Sequence, residues 1–521
     1  MNPPCLLHED EHLLALSKPA GVNTHKPADL AQDGIHEWAE SRWGKLALHH
    51  RLDKETSGVL VMARSKEGSK HLAGLFEGRE LAKRYVFLTA AGERPREQRC
   101  DDRIAKPRAG RAALDPRGAE AHTDFTVLDR FGEHDLVEAR PRTGRTHQVR
   151  LHAARLDMPI LGDRLYGGAP AARLFLHARS LDVKDLQGKP LGLDAGIPRS
   201  FEAARRHRPA SLALAVLAAL ESREGLLAGT DCFRWLDGAP DGARDLRVER
   251  LGDVALVLKV EETAVPRELV AALLENGARA VVERVRPRDQ RHGEAAEART
   301  LAGTLPATRF PVREEGARYL VDLAASVTST GLFLDQREAR RRLALMDLRG
   351  KTVLNAFAHA GAFSVAAARA GAVTTSLDLS KKYLEWAREN LALNDLDPAT
   401  HDFIYGDAQE WLRRLAKKGR RFSVVILDPP SFSTAKKGKT WSAARDLGGL
   451  VALGLGCLEP GGTLYVSTNM RDLPPKKFEA HVRSGFEAAG RKLERLELGT
   501  LPLDFRTAPG EAPYLKSAWA S

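Results

Sequence analysis

The chain has 521 residues, too many for a single hydrophobic core, and with 43% hydrophobic and 29% charged residues its composition is that of an ordinary globular protein. Eighty Lys and Arg stand against 69 Asp and Glu, a formal charge of +11 that is shared by both halves and suits contact with a polyanion, nucleic acid above all. Cys5, Cys100, Cys232 and Cys457 have no close spacing, which argues against a disulfide framework or a zinc site, so a reducing, cytoplasmic setting and no metal are expected.

MNPPCLLHEDEH at the start lacks the basic region of a secretory signal. Residues 1–200 then run through short alternating stretches, HLLALSKPAG, GVLVMARS, KRYVFLTA, HTDFTVLDR and HDLVEARP, divided by Gly, Pro and Asp. That pattern predicts a mainly antiparallel sheet with a few helices. RSFEAARRHRPAS (199–211) is charged, carries a proline and reads as a linker. The apolar run SLALAVLAAL (211–220) is half a bilayer crossing, so it predicts a helix with a buried face and no membrane partner. CFRWLDG, DLRVERLGDVALVLKV, PRELVAALLENG and ARAVVERVRP predict strands around a helix, a small α+β module ending near residue 313.

From residue 314 onward strand-like and helical segments alternate: KTVLNAF and AGAFSVAAARAG, VTTSLDL and KKYLEWARENLALN, HDFIYGD and AQEWLRRLAKK, then FSVVILDPP, a long helix and TLYVSTN. Such alternation predicts a parallel, doubly wound sheet. The reading is therefore a multidomain α+β and α/β chain divided at 1–200, 207–313 and 314–521.

Two sets of residues carry chemistry. In HHRLDKETSG (49–58), Asp53 either caps the turn that follows or acts as a nucleophile or base, and the local residues leave both open. A working carboxylate needs a cation to keep it ionised, and Arg145, between a Thr-Gly turn and a Thr-His pair, is the candidate. In the C-terminal part no dinucleotide-type glycine fingerprint is present, since NAFAHAGAF (355–363) has only Gly361. Yet Asn355, Asp378, Asp407 and Asp428 end consecutive predicted strands, where parallel sheets bind ligands, and an acid after the second strand suits ribose hydroxyls. Any one of these acids would be read more simply as a helix cap.

The first block closely resembles the RluA-type pseudouridine synthases. HRLDKETSGVLVMARS, KPAGVNTH, KRYVFL, TGRTHQVRLHAA, PILGDRLYG and LFLHARSL occur in family order across residues 1–185. The resemblance implies that Asp53 is the catalytic aspartate, Tyr85 the active-site tyrosine and Arg145 the arginine paired with Asp53, with no cofactor required. The C-terminal pattern resembles class I S-adenosylmethionine-dependent methyltransferases of Rossmann-like fold. TSTGLFLDQREARRR, SLDLSKKYLEWARENLALNDL and LDPPSFSTAKK resemble the RlmI/RlmK-type enzymes of large-subunit ribosomal RNA, and TDCFRWLDGAPDG and RVERLGDVALVLKVEE resemble their small middle domain. This implies S-adenosylmethionine as cofactor, held by the Asn355–Phe357–Gly361 turn with Asp378 at the ribose, Asp407 at the adenine and Asp428. Pro429, Pro430 and Phe432 of the DPPSF loop, with Asn469, would face the target base.

Methylation at C5 of a pyrimidine requires a thiol adduct, and VSTNMRD after the fifth strand has no cysteine. The nearby Cys457 ends the preceding helix, which predicts a position at the opposite edge of the sheet. Guanine N7 needs only positioning, so a bifunctional enzyme making pseudouridine and N7-methylguanine in RNA, with 23S rRNA ahead of tRNA, is the favoured reading. The alternatives are N2-guanine or 5-methylcytosine methylation, a ribosome-assembly or RNA-binding factor with one or both domains inactive, and a methyltransferase acting on protein or a small molecule.

Overall fold

The computed structural model describes residues 3–28, 31–78, 80–260, 263–286, 298–305, 307–324, 329–434, 440–499, 501–507 and 513–521. The alternating stretches of the N-terminal part form a ten-stranded sheet, with Leu13–Lys18, Ser57–Ala63, Ala82–Ala90, Ala119–Phe131 and His134–Pro141 among its members. Every pairing is antiparallel except that of Ser57–Ala63 with Leu176–Lys184, where Ser57 meets His177 and Gly58 meets Ala178. The helices Ile35–Trp43, Lys66–Gly78 and Gln148–Arg155 cover it.

The segment expected to be a linker is docked instead. Residues Arg199–Ala203 form a helical turn whose Phe201 is buried edge-on against Phe175, with Val86 and Leu88 in the same cluster. Its charges had hidden one aromatic side chain whose burial outweighs the cost of ordering a short turn. The apolar run becomes the helix Leu212–Glu224. Leu214 packs into the N-terminal core, whereas Val216, Ala219 and Leu220 pack into the next one, so the helix is buried on several sides by two neighbours. No helix among the described residues is long and apolar enough to cross a membrane.

The middle part is a five-stranded sheet, Cys232–Asp237, Leu246–Leu251, Val254–Val260, Ala280–Arg286 and Arg299–Gly303, laid side by side in chain order. The helix Arg267–Glu275 makes the crossover between its one parallel pair. A hairpin, Arg309–Glu314 with Ala317–Asp322, straddles the expected boundary at 313/314 and leads into the C-terminal part.

There the strands are β1 (Thr352–Ala356), β2 (Val373–Asp378), β3 (Asp402–Tyr405), β4 (Phe422–Leu427), β5 (Leu458–Thr468), β6 (Leu496–Gly499) and β7 (Lys516–Ala520), in the spatial order 3-2-1-4-5-7-6. The first five are parallel, and β7 pairs antiparallel with both β5 and β6. Crossing from β3 outward to β4 reverses the winding beside β1, which places the ligand crevice over the ends of β1, β2 and β4.

Candidate active sites

In the N-terminal part a cavity of about 630 Å³ opens over Asp53, a volume suited to a nucleoside. Lys83, Arg142 and Arg145 stand in its wall, so the entrance is basic. Tyr85 lies on the strand Ala82–Ala90, between Ala139 and Ala178 of its neighbours, and faces the same cavity. Burial, with the Asp53 charge added, raises the Tyr85 phenol above its usual range, so it stays protonated.

The cation beside Asp53 is Arg150, not Arg145. Arg150 Nη1 donates to Asp53 Oδ2 at 3.2 Å, while its Nε and Nη2 donate to Asp163 at 2.7 and 2.8 Å. Arg145 is exposed on the cavity rim, and its Nε donates to the carbonyl of Glu120 at 3.1 Å. The reason is the helix Gln148–Arg155, which carries Arg150 inward on its buried face, whereas Arg145 stays in the preceding turn. A buried guanidinium needs a partner, and Asp163, fully buried, supplies one and leaves the third donor directed at Asp53. An arginine within the apolar run QVRLHAA was the available sign. His147, which sequence reasoning also passed over, opens that helix with φ +58°, its Nε2 3.6 Å from Asp53 and its Nδ1 2.8 Å from the Tyr166 hydroxyl. Burial holds its imidazole below the usual range, so Arg150 is the charge partner near neutral pH.

In the C-terminal part the turn after β1 bends sharply: Phe357 and His359 both have positive φ, 65° and 48°. Such strain in non-glycine residues persists only where the surroundings enforce it. Here Ala358 N donates to Leu377 O of β2, and His359 N donates to Asp378 Oδ2 at 2.8 Å. Ser380 N donates to the other Asp378 oxygen at 2.9 Å, and burial nonetheless raises this carboxyl above its usual range. Gly361 has φ +76°, and a Cβ there would lie 2.5 Å from Ala387 Cβ, so only glycine lets the following helix seat against Lys381–Leu393. Asn355 is buried and donates to Ser364 Oγ at 3.0 Å, bracing the turn from within. Asp407 caps the helix Ala408–Lys417 by accepting from Glu410 N.

Beside Asp378, Leu379 and Tyr405 are 67% and 52% exposed, an unusual position for apolar groups at strand ends. A carboxylate for hydroxyls and exposed apolar faces for a flat ring fit the adenosyl part of S-adenosylmethionine. Asp428, after β4, accepts from Gln336 Nε2 at 3.1 Å and from Ser467 Oγ, and burial still lifts its carboxyl to about 6. Pro429 is buried, while Pro430 and Phe432 are exposed, and Ser431 Oγ donates to Asn469 Oδ1 at 2.6 Å, tying the DPPSF loop to the end of β5.

Cys457 is buried where expected: its carbonyl accepts from Phe422 N at the start of β4, and its thiol donates to Leu412 O. Burial pushes the thiol up to about 11. Asp428 lies beyond the other end of β4, a strand length of about 20 Å away at 3.3 Å per residue.

Residues 12–155 match the RNA pseudouridylate synthase family and residues 267–502 the S-adenosylmethionine-dependent methyltransferase family. A ribosomal RNA large subunit methyltransferase of Deinococcus radiodurans is 34% identical over 340 residues, covering 63% of this chain and 81% of that protein. The chain belongs to this methyltransferase family. Ahead of its methyltransferase part it carries the pseudouridylate synthase segment. A ribosomal RNA large subunit methyltransferase K/L of Allochromatium vinosum is 39% identical over 200 residues, 38% of this chain and 26% of that protein. A Bacillus subtilis relative is 40% identical over 212 residues, so the chain spans 53% of its length. A structure solved in complex with SAH superposes with a TM-score of 0.53 at 25% identity, covering 65% of this chain and 87% of that one.

Proposed function

We propose that this chain modifies RNA twice, isomerising a uridine to pseudouridine at Asp53 and methylating guanine N7 beside Asp428, with large-subunit (23S) ribosomal RNA as substrate. The observation that carries the reading is the basic, nucleoside-sized cavity in which one arginine, already neutralised by Asp163, directs its remaining donor at Asp53. The similarity to ribosomal RNA large subunit methyltransferases supports ribosomal RNA for the second activity.

Isomerisation breaks the N1–C1′ bond, turns the base and rejoins it through C5, with neither redox change nor metal. Asp53 serves as nucleophile or base, Arg150 donates to it and fixes its orientation, and the protonated Tyr85 stacks on the base once it has left its helix. In the other part Asp378 and the apolar Leu379 and Tyr405 would hold S-adenosylmethionine, and Phe357 and Asp407 flank that place. S-adenosylmethionine supplies an electrophilic methyl group. The DPPSF loop presents Phe432 to a splayed base, and Asn469 holds the loop in place. Guanine N7 has a free lone pair, so orientation is all that these residues need to provide.

The test is nucleoside mass spectrometry on large-subunit RNA treated with the purified full chain and S-adenosylmethionine. Pseudouridine and 7-methylguanosine are expected. N2-methylguanosine or 5-methylcytidine instead would overturn the acceptor, and unmodified RNA would favour an RNA-binding assembly factor. Cys457→Ser should methylate at the wild-type rate, because the thiol lies a strand length from the crevice and is held protonated by burial. A methylation rate lost with that thiol would show that the cysteine takes part. Asp428→Ala should lower methylation by about a hundredfold or more, since Gln336 and Ser467 lose their shared acceptor and the loop its fixed start. Calorimetry should show weaker S-adenosylmethionine binding in the same variant; wild-type rate and affinity would remove Asp428 from the site.

A further inference from the structure

The loop carrying Asp53 is held from both sides by one turn. Thr24 Oγ1 donates to Leu52 O at 2.7 Å and accepts from Leu52 N at 3.1 Å. On the other flank, Lys54 O accepts from Gly21 N at 2.8 Å and from the fully buried Lys18 Nζ at 3.1 Å. The same ammonium donates to Pro19 O and Val22 O, so residues 18–24 are wound around one cation. The backbone on both sides of Asp53 is thus tied to this turn.

The outer side of that turn is covered by a residue from the opposite end of the chain. Arg506 Nη2 donates to Ala20 O at 3.1 Å, and a Cβ on Gly21, whose φ is +76°, would lie 3.4 Å from the Arg506 guanidinium. Arg506 belongs to the segment LPLDFR (501–506), which is itself anchored on three parts of the molecule. Gln32 Nε2 of the synthase part donates to the carbonyls of Leu501, Pro502 and Phe505. Asp504, 2% exposed, accepts from Arg337 Nη1 at 2.7 Å and from Arg234 N at 3.0 Å, and its carbonyl accepts from Arg223 Nε. Arg506 N donates to Asp237 in the middle sheet, and Leu503 joins the cluster that contains Val22. A segment so fully partnered is a rigid support, and its guanidinium fork makes the hydrogen bond to the synthase turn.

We propose that the methyltransferase part furnishes Arg506 as a positioning residue for pseudouridine formation, clamping the Lys18–Thr24 turn and through it Leu52 and Lys54 on either side of Asp53. This rests on the reading of Asp53 as the pseudouridine-forming aspartate. Arg506 does not line the cavity, so its removal changes how Asp53 is presented and not how RNA is bound.

The experiment uses the full chain with Arg506→Ala and Arg506→Lys. Arg506→Ala should lower kcat for pseudouridine formation about tenfold, with KM for RNA and the methylation rate within about twofold of wild type. Arg506→Lys, which keeps a cation but loses the fork, should recover part of the loss. Hydrogen exchange in peptides spanning residues 18–24 and 50–57 should quicken in Arg506→Ala. A pseudouridine kcat within twofold of wild type, or unchanged exchange in both peptides, would overturn the proposal. If Arg506→Ala loses methylation as well, its fold has failed and Arg506→Lys decides by hydrogen exchange: faster exchange in the two peptides supports the proposal, and exchange unchanged from wild type in both overturns it. If the wild-type chain makes no pseudouridine, the functional reading fails, and exchange alone still decides whether Arg506 holds the loop.

Discussion

Asp53→Asn in the full chain should lower pseudouridine formation by about a thousandfold or more while methylation proceeds at the wild-type rate. The substitution keeps the size of the side chain, and an amide oxygen can still accept from Arg150 Nη1, which keeps its bidentate pair with Asp163. What is lost is the negative charge, and with it any capacity to attack carbon or take a proton. RNA affinity should persist, because Lys83, Arg142 and Arg145 in the cavity wall are untouched. The measurement is single-turnover pseudouridine yield alongside methyl transfer from the same preparation. A yield equal to that of wild type would remove Asp53 from the chemistry.

Arg150→Ala should cost stability as well as activity. Its side chain is 8% exposed and Asp163 is fully buried, so the substitution strands a carboxylate whose remaining donors are the backbone amides of Leu165 and Tyr166. Breaking a buried pair in this way costs about 3–5 kcal/mol. Arg145→Ala removes an exposed side chain with one carbonyl partner, and its stability should move by no more than about 0.5 kcal/mol. Its effect on the reaction should fall on KM for RNA, through one lost phosphate contact, and leave kcat in place. Denaturant melts and pseudouridine kinetics on both variants, with Arg150→Lys to keep the charge, separate the two arginines. An Arg145→Ala enzyme that stays folded yet loses as much kcat as Arg150→Ala would restore Arg145 as the partner of Asp53.

Much of this molecule is legible in the order of its residues. The short apolar stretches in GVLVMARS and HDLVEARP and the helical spacing in KKYLEWARENLALN are local properties that led to the strands and helices observed, although Ser57–Ala63 proves buried on both faces and not on one. Because parallel strands alternate with helices, the acids that follow them converge on one edge of the sheet, and the same connectivity puts Cys457 at the other. Strands whose burial comes from partners distant in the chain carry no such mark: KSAWA becomes β7 only because β5 and β6 close over both its edges. Between Arg145 and Arg150 the sequence offered one sign, an arginine inside an apolar run, but Asp53 lies 97 residues from its partner and a helix orientation decides which guanidinium arrives. LPLDFR looks like any short loop, yet Leu503 packs into one core and Leu501 and Phe505 into another, while Asp504 and Arg506 hydrogen-bond elements far away in the chain. Local patterning follows from each residue's own contact with water, whereas the pairing of buried charges follows from which surfaces the folded chain brings together, and only the tertiary structure settles that.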